Sequence, residues 1–404
     1  MASSSLFLFA VLLSARLETQ EPNPVTSRAE QIQAERMTKV ATRTSEEPRR
    51  TERFFKSISQ KIPKLSRMGP IRLQPAAVTD SMGFAIGSRL SWGTQTDSTR
   101  VDASATGTTR GFYALRTGVS FADLASRQLR VGIDASHSDS PKLDYYGPGP
   151  GSSKGSRTNY RREDTALDFH VAWHPVRRHI TAKFEIGPDF VNVGPGKDSR
   201  FASAETVYTP SEAPGIDLQT NFLRTGNSVD LDFRDLPGDP HDGSRLAFRY
   251  LHYADLHDGP YSFSRVSVAA EHYIGFLNKK RTFGLRAATD LTFHGPNEVV
   301  PFYLQPTLGG PDDLRGFRLY RFNGDNLVLF NGEYRWEIST GFDTALFADA
   351  GKVFDRAHQI SLSSLETSAG FGFRFKAHEK VVMRIDTGFS REGFQTWVRF
   401  NTGL

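Results

Sequence analysis

Leu167-Asp-Phe-His-Val-Ala-Trp173 passes through His174-Pro-Val-Arg-Arg-His179 into Ile180-Thr-Ala-Lys-Phe-Glu-Ile186, and this stretch decides the fold. In its first arm Leu167, Phe169, Val171 and Trp173 alternate with Asp168 and His170. In its second, Ile180, Ala182, Phe184 and Ile186 alternate with Thr181, Lys183 and Glu185. A period of two sends apolar side chains to one face of an extended strand and polar ones to the other. With so short a connection, the two arms read as an antiparallel pair.

The same alternation recurs on both sides of this pair. Leu129, Val131, Ile133 and Ala135 carry it upstream against Gln128, Arg130, Asp134 and Ser136; Val229, Leu231 and Phe233 carry it downstream against Asp230, Asp232 and Arg234. Leu246, Phe248 and Tyr250 alternate with Arg245 and Arg249, and Phe371, Phe373 and Phe375 with Gly372 and Arg374. A soluble sandwich and a membrane barrel both alternate, but they differ in strand length and in turns. These segments run to about ten residues or more, the length a tilted strand needs to cross a bilayer, whereas soluble strands are typically about five or six. Tight connections at Trp173–His179, Leu277–Arg281 and Lys376–Lys380 interleave with long ones at His137–Tyr160 and Gly194–Asp217. Short periplasmic turns alternating with long outer loops are the habit of outer-membrane barrels.

Composition agrees. The 404 residues are 38% hydrophobic and 24% charged, with 35 Gly, 31 Phe and 12 Tyr. Mean hydropathy is −0.43, and no interior stretch reaches the length of a membrane helix. The absence of cysteine excludes a disulfide framework, thiolate metal ligation and thiol catalysis. The net charge of +5 arises in one short segment: residues 16–67 hold 12 basic and 7 acidic side chains, while residues 68–404 hold 38 of each. A lumen lined by paired charges reconciles such a charge content with a lipid-facing exterior.

The chain divides into three parts. Leu6–Leu13 (LFLFAVLL), followed by Ser14 and Ala15, is read as a signal peptide over residues 1–15. Residues 16–67 form a basic periplasmic extension, partly helical or disordered: Thr44 and Glu47 fit a capping box ahead of Phe54, Ile58 and Ile62. Residues 68–404 form the barrel.

The densest motif is Leu308–Trp336, LGGPDDLRGFRLYRFNGDNLVLFNGEYRW, followed by Phe347-Ala-Asp349-Ala-Gly351. Here the sequence resembles the BamA/TamA-like outer-membrane barrel family, the bacterial surface antigen family, over about residues 69–404. The resemblance implies that Arg315, Gly316 and Phe317 match the family's Arg-Gly-Phe tripeptide on a loop tucked back into the lumen, facing inward carboxylates at Glu333 and Asp349. It also matches Asp232-Phe-Arg234-Asp235 through Pro240 to Gly243 with the family's strand-end and turn motif. An arginine in a wet lumen needs planar acceptors, and two carboxylates on neighbouring strands supply them. Val328, Phe330, Tyr334 and Trp336 share one strand face; Asn331, Glu333 and Arg335 share the other.

The resemblance implies sixteen strands, the first near Pro70–Ala77, the second over Met82–Trp92, and five after the Arg-Gly-Phe loop, ending at Phe400. It implies insertion or translocation of polypeptide at the bacterial outer membrane, through a seam between first and last strands. Pro70 and Pro75 remove two ladder donors from the first strand, and in the last strand Phe394, Val398 and Phe400 face lipid while Gln395, Arg399 and Asn401 face the lumen. The 52-residue extension is too poor in apolar residues to be one of the family's client-receiving periplasmic domains. The chain is therefore expected to be a short member without those domains, and the sequence leaves open whether a periplasmic or lipoprotein partner replaces them. Expected partners are the outer-membrane lipid bilayer and unfolded outer-membrane or secreted polypeptide clients. The alternative is a passive transport pore for polypeptide or lipid, of the two-partner-secretion kind.

Neither an enzyme nor a cofactor is expected. No Gly-x-Ser-x-Gly motif appears, His170 and His174 share one strand face without a third ligand, and Gly147–Lys154 lacks the order of a phosphate loop and reads as a flexible outer loop. Basic residues without an aromatic single-strand platform give no case for nucleic acid.

Overall fold

The computed structural model describes residues 67–68, 71–79, 83–92, 98–125, 128–176, 179–339, 341–377 and 380–400. The signal-peptide and extension readings, Pro70 and Asn401 lie outside these residues. Sixteen long strands carry the fold: β1 Ile71–Thr79, β2 Gly83–Trp92, β3 Thr99–Thr108, β4 Tyr113–Leu124, β5 Leu129–Tyr145, β6 Thr158–Val176, β7 Ile180–Pro195 and β8 Asn221–Asp232. Then come β9 Gly243–Asp255, β10 Phe263–Phe276, β11 Arg281–Phe293, β12 Asn326–Ser339, β13 Phe342–Phe354, β14 Glu366–Ala377, β15 Lys380–Ser390 and β16 Gly393–Phe400. Five strands follow the Arg-Gly-Phe loop, as expected.

Every consecutive pair is antiparallel. The order returns on itself where β16 meets β1, but there the described residues hold a single register pair, Val398↔Val78. By contrast β15 and β16 pair from Met383↔Phe400 to Ser390↔Gly393. The β1–β2 register itself shifts between Pro75 and Val78. A proline cannot donate to a ladder, so an irregular first strand with a weakly paired edge follows from Pro75.

Alternation sorts the two faces. Ile133, Phe169, Trp173, Phe184, Leu246, Leu285, Phe371 and Phe389 are exposed on the outside. Charges turn inward in pairs: Arg224 lies 2.6 Å from Asp168, Arg245 2.6 Å from Asp230 and Arg234 2.9 Å from Glu271. No helix among the described residues is long and apolar enough to cross a membrane.

The long connections differ from expectation. His137–Tyr160 and Gly194–Asp217 were expected to be loops, yet β5 continues to Tyr145, β6 begins at Thr158 and β7 continues to Pro195. Alternation fails there because the extended hairpins pack into a core beyond the barrel wall. Leu143, Tyr145, Tyr160, Val191, Val193, Phe222, Tyr253, Phe263 and Phe302 are buried in one cluster. Phe302 stands edge-on to Tyr145 and Tyr160 at 5.0 and 4.8 Å between ring centres. Phe302 belongs to the β11–β12 connection, whereas Tyr145 and Tyr160 belong to β5 and β6, so the cluster reaches across the long-loop mouth. Gly147–Lys154 is tied down there too: Gly149 N–H donates to the Asn323 carbonyl at 2.7 Å, and Lys154 Nζ to that of Glu392 at 2.6 Å.

Candidate functional site

The β11–β12 connection returns to the barrel through a two-stranded hairpin, Thr307–Leu308 against Phe322–Asn323. Between these strands, residues 309–321 fold into the lumen. Gly309 and Gly310 open the fold-back with φ of +114° each, a conformation an L side chain rarely adopts. Leu314 and Phe317 then bury against Leu308, Phe322, Leu327, Leu329 and Val353. Leu327 and Leu329 face inward although they are apolar. The unbroken run Leu327–Phe330 is the sequence signal for a strand covered on both faces.

Arg315 sits at the tip, 4% exposed. Its backbone N–H donates to Asp349 Oδ2 at 3.1 Å; its Nε and Nη2 donate to the same carboxylate at 3.0 and 2.6 Å. Nη1 donates to Glu333 Oε2 at 2.7 Å. The guanidinium lies 3.5 Å from the centre of the Phe347 ring, adding a cation–π contact. Asp349 is held by Asn331 Nδ2 at 2.9 Å and Ser368 Oγ at 3.1 Å. Glu333 also receives Arg374 at 2.9 Å and Arg384 at 3.2 Å, and Arg374 pairs with Asp386 at 2.8 Å. The structure thus brings Arg315, Glu333 and Asp349 together in one network that extends over β12 to β15.

The loop and the wall meet closely at two glycines, Gly388 on β15 and Gly316 in the loop. A Cβ on Gly388 would lie 2.6 Å from the Arg315 carbonyl oxygen, and one on Gly316 would lie 2.7 Å from the Phe389 carbonyl oxygen. Ser390 Oγ donates to the Gly316 carbonyl at 2.8 Å, and Trp397 Nε1 to the Arg315 carbonyl at 2.8 Å. Sequence reading missed Trp397, although it lies between the inward Gln395 and Arg399 at the two-residue spacing that marks the lumen face. It also missed Arg321, 1% exposed, which pairs with Glu392 at 2.7 Å and donates to Ser152 Oγ at 2.8 Å. Arg315 ties the loop down to the wall, and Arg321 ties it up to the outer turns.

Gly388→Val is expected to lift the loop tip without unfolding the barrel. Overpacking against fixed backbone costs about 1–3 kcal/mol, and the flanking ladder bonds of β15 remain. Faster proteolysis within 309–321, with the heat-modifiable band intact, is the expected reading; unchanged proteolysis would contradict the close packing.

The second motif forms a turn at the opposite end of the barrel. Arg234 Nε and Nη2 grip Asp232 at 2.8 and 2.7 Å. Asp235 Oδ1 accepts the N–H groups of Leu236 and His241, each at 2.9 Å, and Lys279 lies 2.8 Å from Oδ2. Pro240 gives its carbonyl to Arg335, and Gly243 turns into β9 at a φ of +97°. Asp239, His241 and Asp343 lie close enough to share a cation. Lys376 already occupies that position, 2.6 Å from Asp239 and paired with Asp343. His170 lies 3.0 Å from Asp134, and His174 3.1 Å from Thr181 Oγ1.

Burial raises the Asp235 carboxyl, but Lys279 and the backbone N–H groups of His241, Asp242 and Leu236 outweigh it and hold it below the usual value of 3.8. A depressed folded-state pKa contributes stability above the unfolded value, lost as pH falls through the folded one. The turn is therefore expected to keep its amide protection through pH 3.8 and to lose it only in stronger acid. Loss of protection at or above that pH, as in Asp235→Asn, would contradict this.

Comparisons place this architecture among known proteins. The model of the Omp85 superfamily domain matches residues 102–390. No curated protein sequence matches the chain. Among solved structures, BamA from Haemophilus ducreyi lacking POTRA domains 1–3 superposes with a TM-score of 0.62 at 12% identity, over 82% of this chain and 70% of that one. CdiB from Escherichia coli gives 0.53 at 11% identity, over 82% and 62%. CdiB from Acinetobacter baumannii gives 0.49 at 11% identity, over 82% and 59%. The chain thus spans less than two thirds of either CdiB.

Proposed function

This chain belongs to the Omp85 superfamily, an outer-membrane β-barrel family that handles polypeptide, and we propose that it inserts or translocates polypeptide clients through the β16–β1 seam. The observation that carries the reading is that the described residues hold a single register pair at that seam, whereas β15 and β16 pair along their described length. A parted seam exposes unpaired N–H and C=O groups on β1 and β16. An incoming client strand satisfies them by β-augmentation. Phe394 and Val398 face lipid while Gln395, Trp397 and Arg399 face the lumen, so β16 re-pairs without moving charge into hydrocarbon.

The loop held by Arg315, Glu333 and Asp349 acts in this reading as a latch that fixes the wall of β12 to β15 beside the seam. The Asp232–Gly243 turn braces the periplasmic end through Asp239–Arg335 at 2.8 Å. The excess of basic over acidic side chains in the sequence of residues 16–67 suits recruitment of a periplasmic or lipoprotein partner. No chemical step is assigned to any residue.

The second reading is a passive pore for secreted polypeptide or lipid. Against it stands the aromatic cluster from Tyr145 to Phe302, which reaches across the outer mouth. A permanently open conduit has no use for such a cover. Depletion followed by outer-membrane proteomics separates the two. Loss spread over many barrel proteins is the expected outcome, and loss of one secreted substrate alone would favour the pore.

A further inference from the structure

One residue connects the loop to the seam. The Arg315 side chain is bound to β12 and β13, while its carbonyl accepts the indole N–H of Trp397 on β16 at 2.8 Å. Trp397 is 2% exposed and precedes Val398, which makes the seam pair. Arg399, two residues on, pairs with the loop carboxylate of Asp312. On its other flank β16 is paired with β15 throughout, and β15 is itself bound to the loop by Ser390 Oγ to the Gly316 carbonyl at 2.8 Å. The last strand is thus bonded to the loop tip on its lumen face, while at its free edge the described residues hold one register pair with the first strand.

We propose that Trp397 is a positioning residue that transmits the seated state of the loop to the seam. With the loop down, the indole N–H fixes the height and twist of β16 at residue 397 and presents Val398 to Val78. With the loop lifted, the Arg315 carbonyl leaves, Trp397 loses its acceptor, and β16 swings free of β1 while keeping β15. Geometry supports this order: the contact bonds a side chain of β16 to a backbone atom of the residue whose side chain anchors the loop. The two movements therefore cannot be independent. The inference deepens the seam reading of the proposed function and rests on it for its biological use. The coupling itself is a property of the barrel without a client.

The test uses the 404-residue, cysteine-free chain in membranes. Val78→Cys with Val398→Cys reports the seam by oxidative cross-linking, and Thr387→Cys with Thr396→Cys, whose hydroxyls are 3.0 Å apart on the outer face, reports the β15–β16 pair. Trp397→Phe keeps an aromatic ring, smaller than the indole, and removes the donor. One hydrogen bond net of solvent corresponds to about a five-fold shift between closed and open seam. We expect the seam cross-linking rate to fall by about that factor while the β15–β16 rate is unchanged. Arg315→Ala, which releases the loop from its other side, should lower the seam rate at least as much. Adding Trp397→Phe to it should lower the rate no further, because both act through one contact.

An unchanged seam rate in Trp397→Phe overturns the proposal. So does an equal fall at the β15–β16 pair, which would make Trp397 a plain stabiliser of the strand. Should Trp397→Phe yield no heat-modifiable band, Arg315→Ala decides alone, and an unchanged seam rate there overturns the coupling. All arms read the seam without a client, so they stand whether or not polypeptide insertion depends on it.

Discussion

Arg315→Ala is expected to release the loop from the lumen wall while the barrel stays folded. The guanidinium reaches Asp349 at 2.6 Å and Glu333 at 2.7 Å. The Asp349 side chain is fully buried and Arg315 nearly so. Removing one member of such a pair leaves the other charge uncompensated, which costs about 3–5 kcal/mol in buried settings. Asn331 and Ser368 still hold Asp349, and Arg374 and Arg384 still hold Glu333, so the low end of that range applies. Even about 3 kcal/mol shifts the seated-to-free ratio by two orders of magnitude. The sixteen strands keep their ladder bonds, and the heat-modifiable band should persist.

The measurement is limited proteolysis of the folded protein, read for cleavage within residues 309–321. Strong acceleration is expected for Arg315→Ala. A smaller one is expected for Arg315→Lys, which keeps a charge but lacks the planar fork that serves two carboxylates at once. Equal resistance in all three proteins would show that Leu314 and Phe317 hold the loop without the ion pairs.

How much of this was legible depended on which side of the wall a residue serves. Leu167–Ile186 read correctly because lipid outside and charge inside impose one rule on every second residue. The rule fails where a strand leaves the membrane: Leu143, Tyr145 and Tyr160 pack into the outer cluster, so the strand ends at Tyr145 and Thr158 looked like loop. It fails again at Leu327 and Leu329, where the loop supplies an apolar inner neighbour. Arg315, Glu333 and Asp349 were found as a motif, and the structure brings them within hydrogen-bond distance. Their extension through Arg374, Arg384 and Asp386 was not legible, because an inward charge in a barrel is ordinary and only register shows which charges meet. Trp397 hid for the opposite reason: an aromatic on a membrane strand invites a lipid-facing reading, and only its parity with Gln395 and Arg399 marks it as inward. Arg321 meets Glu392 and Ser152 from loops distant in sequence, with no local signal at all.

The central claim, that polypeptide passes by way of the β16–β1 seam, has one direct test with a large expected effect. In Val78→Cys with Val398→Cys, oxidation adds a covalent bond where the described strands share one register pair. Parting the seam then requires breaking a disulfide, which uncatalysed exchange does only over minutes to hours. Delivery of newly made barrel proteins to the outer membrane should fall to background in the oxidised protein and return in full on reduction. The single-cysteine variants should behave as the parent under both conditions. Full activity in the oxidised, fully cross-linked protein would contradict the seam mechanism and leave the closed pore as the working form.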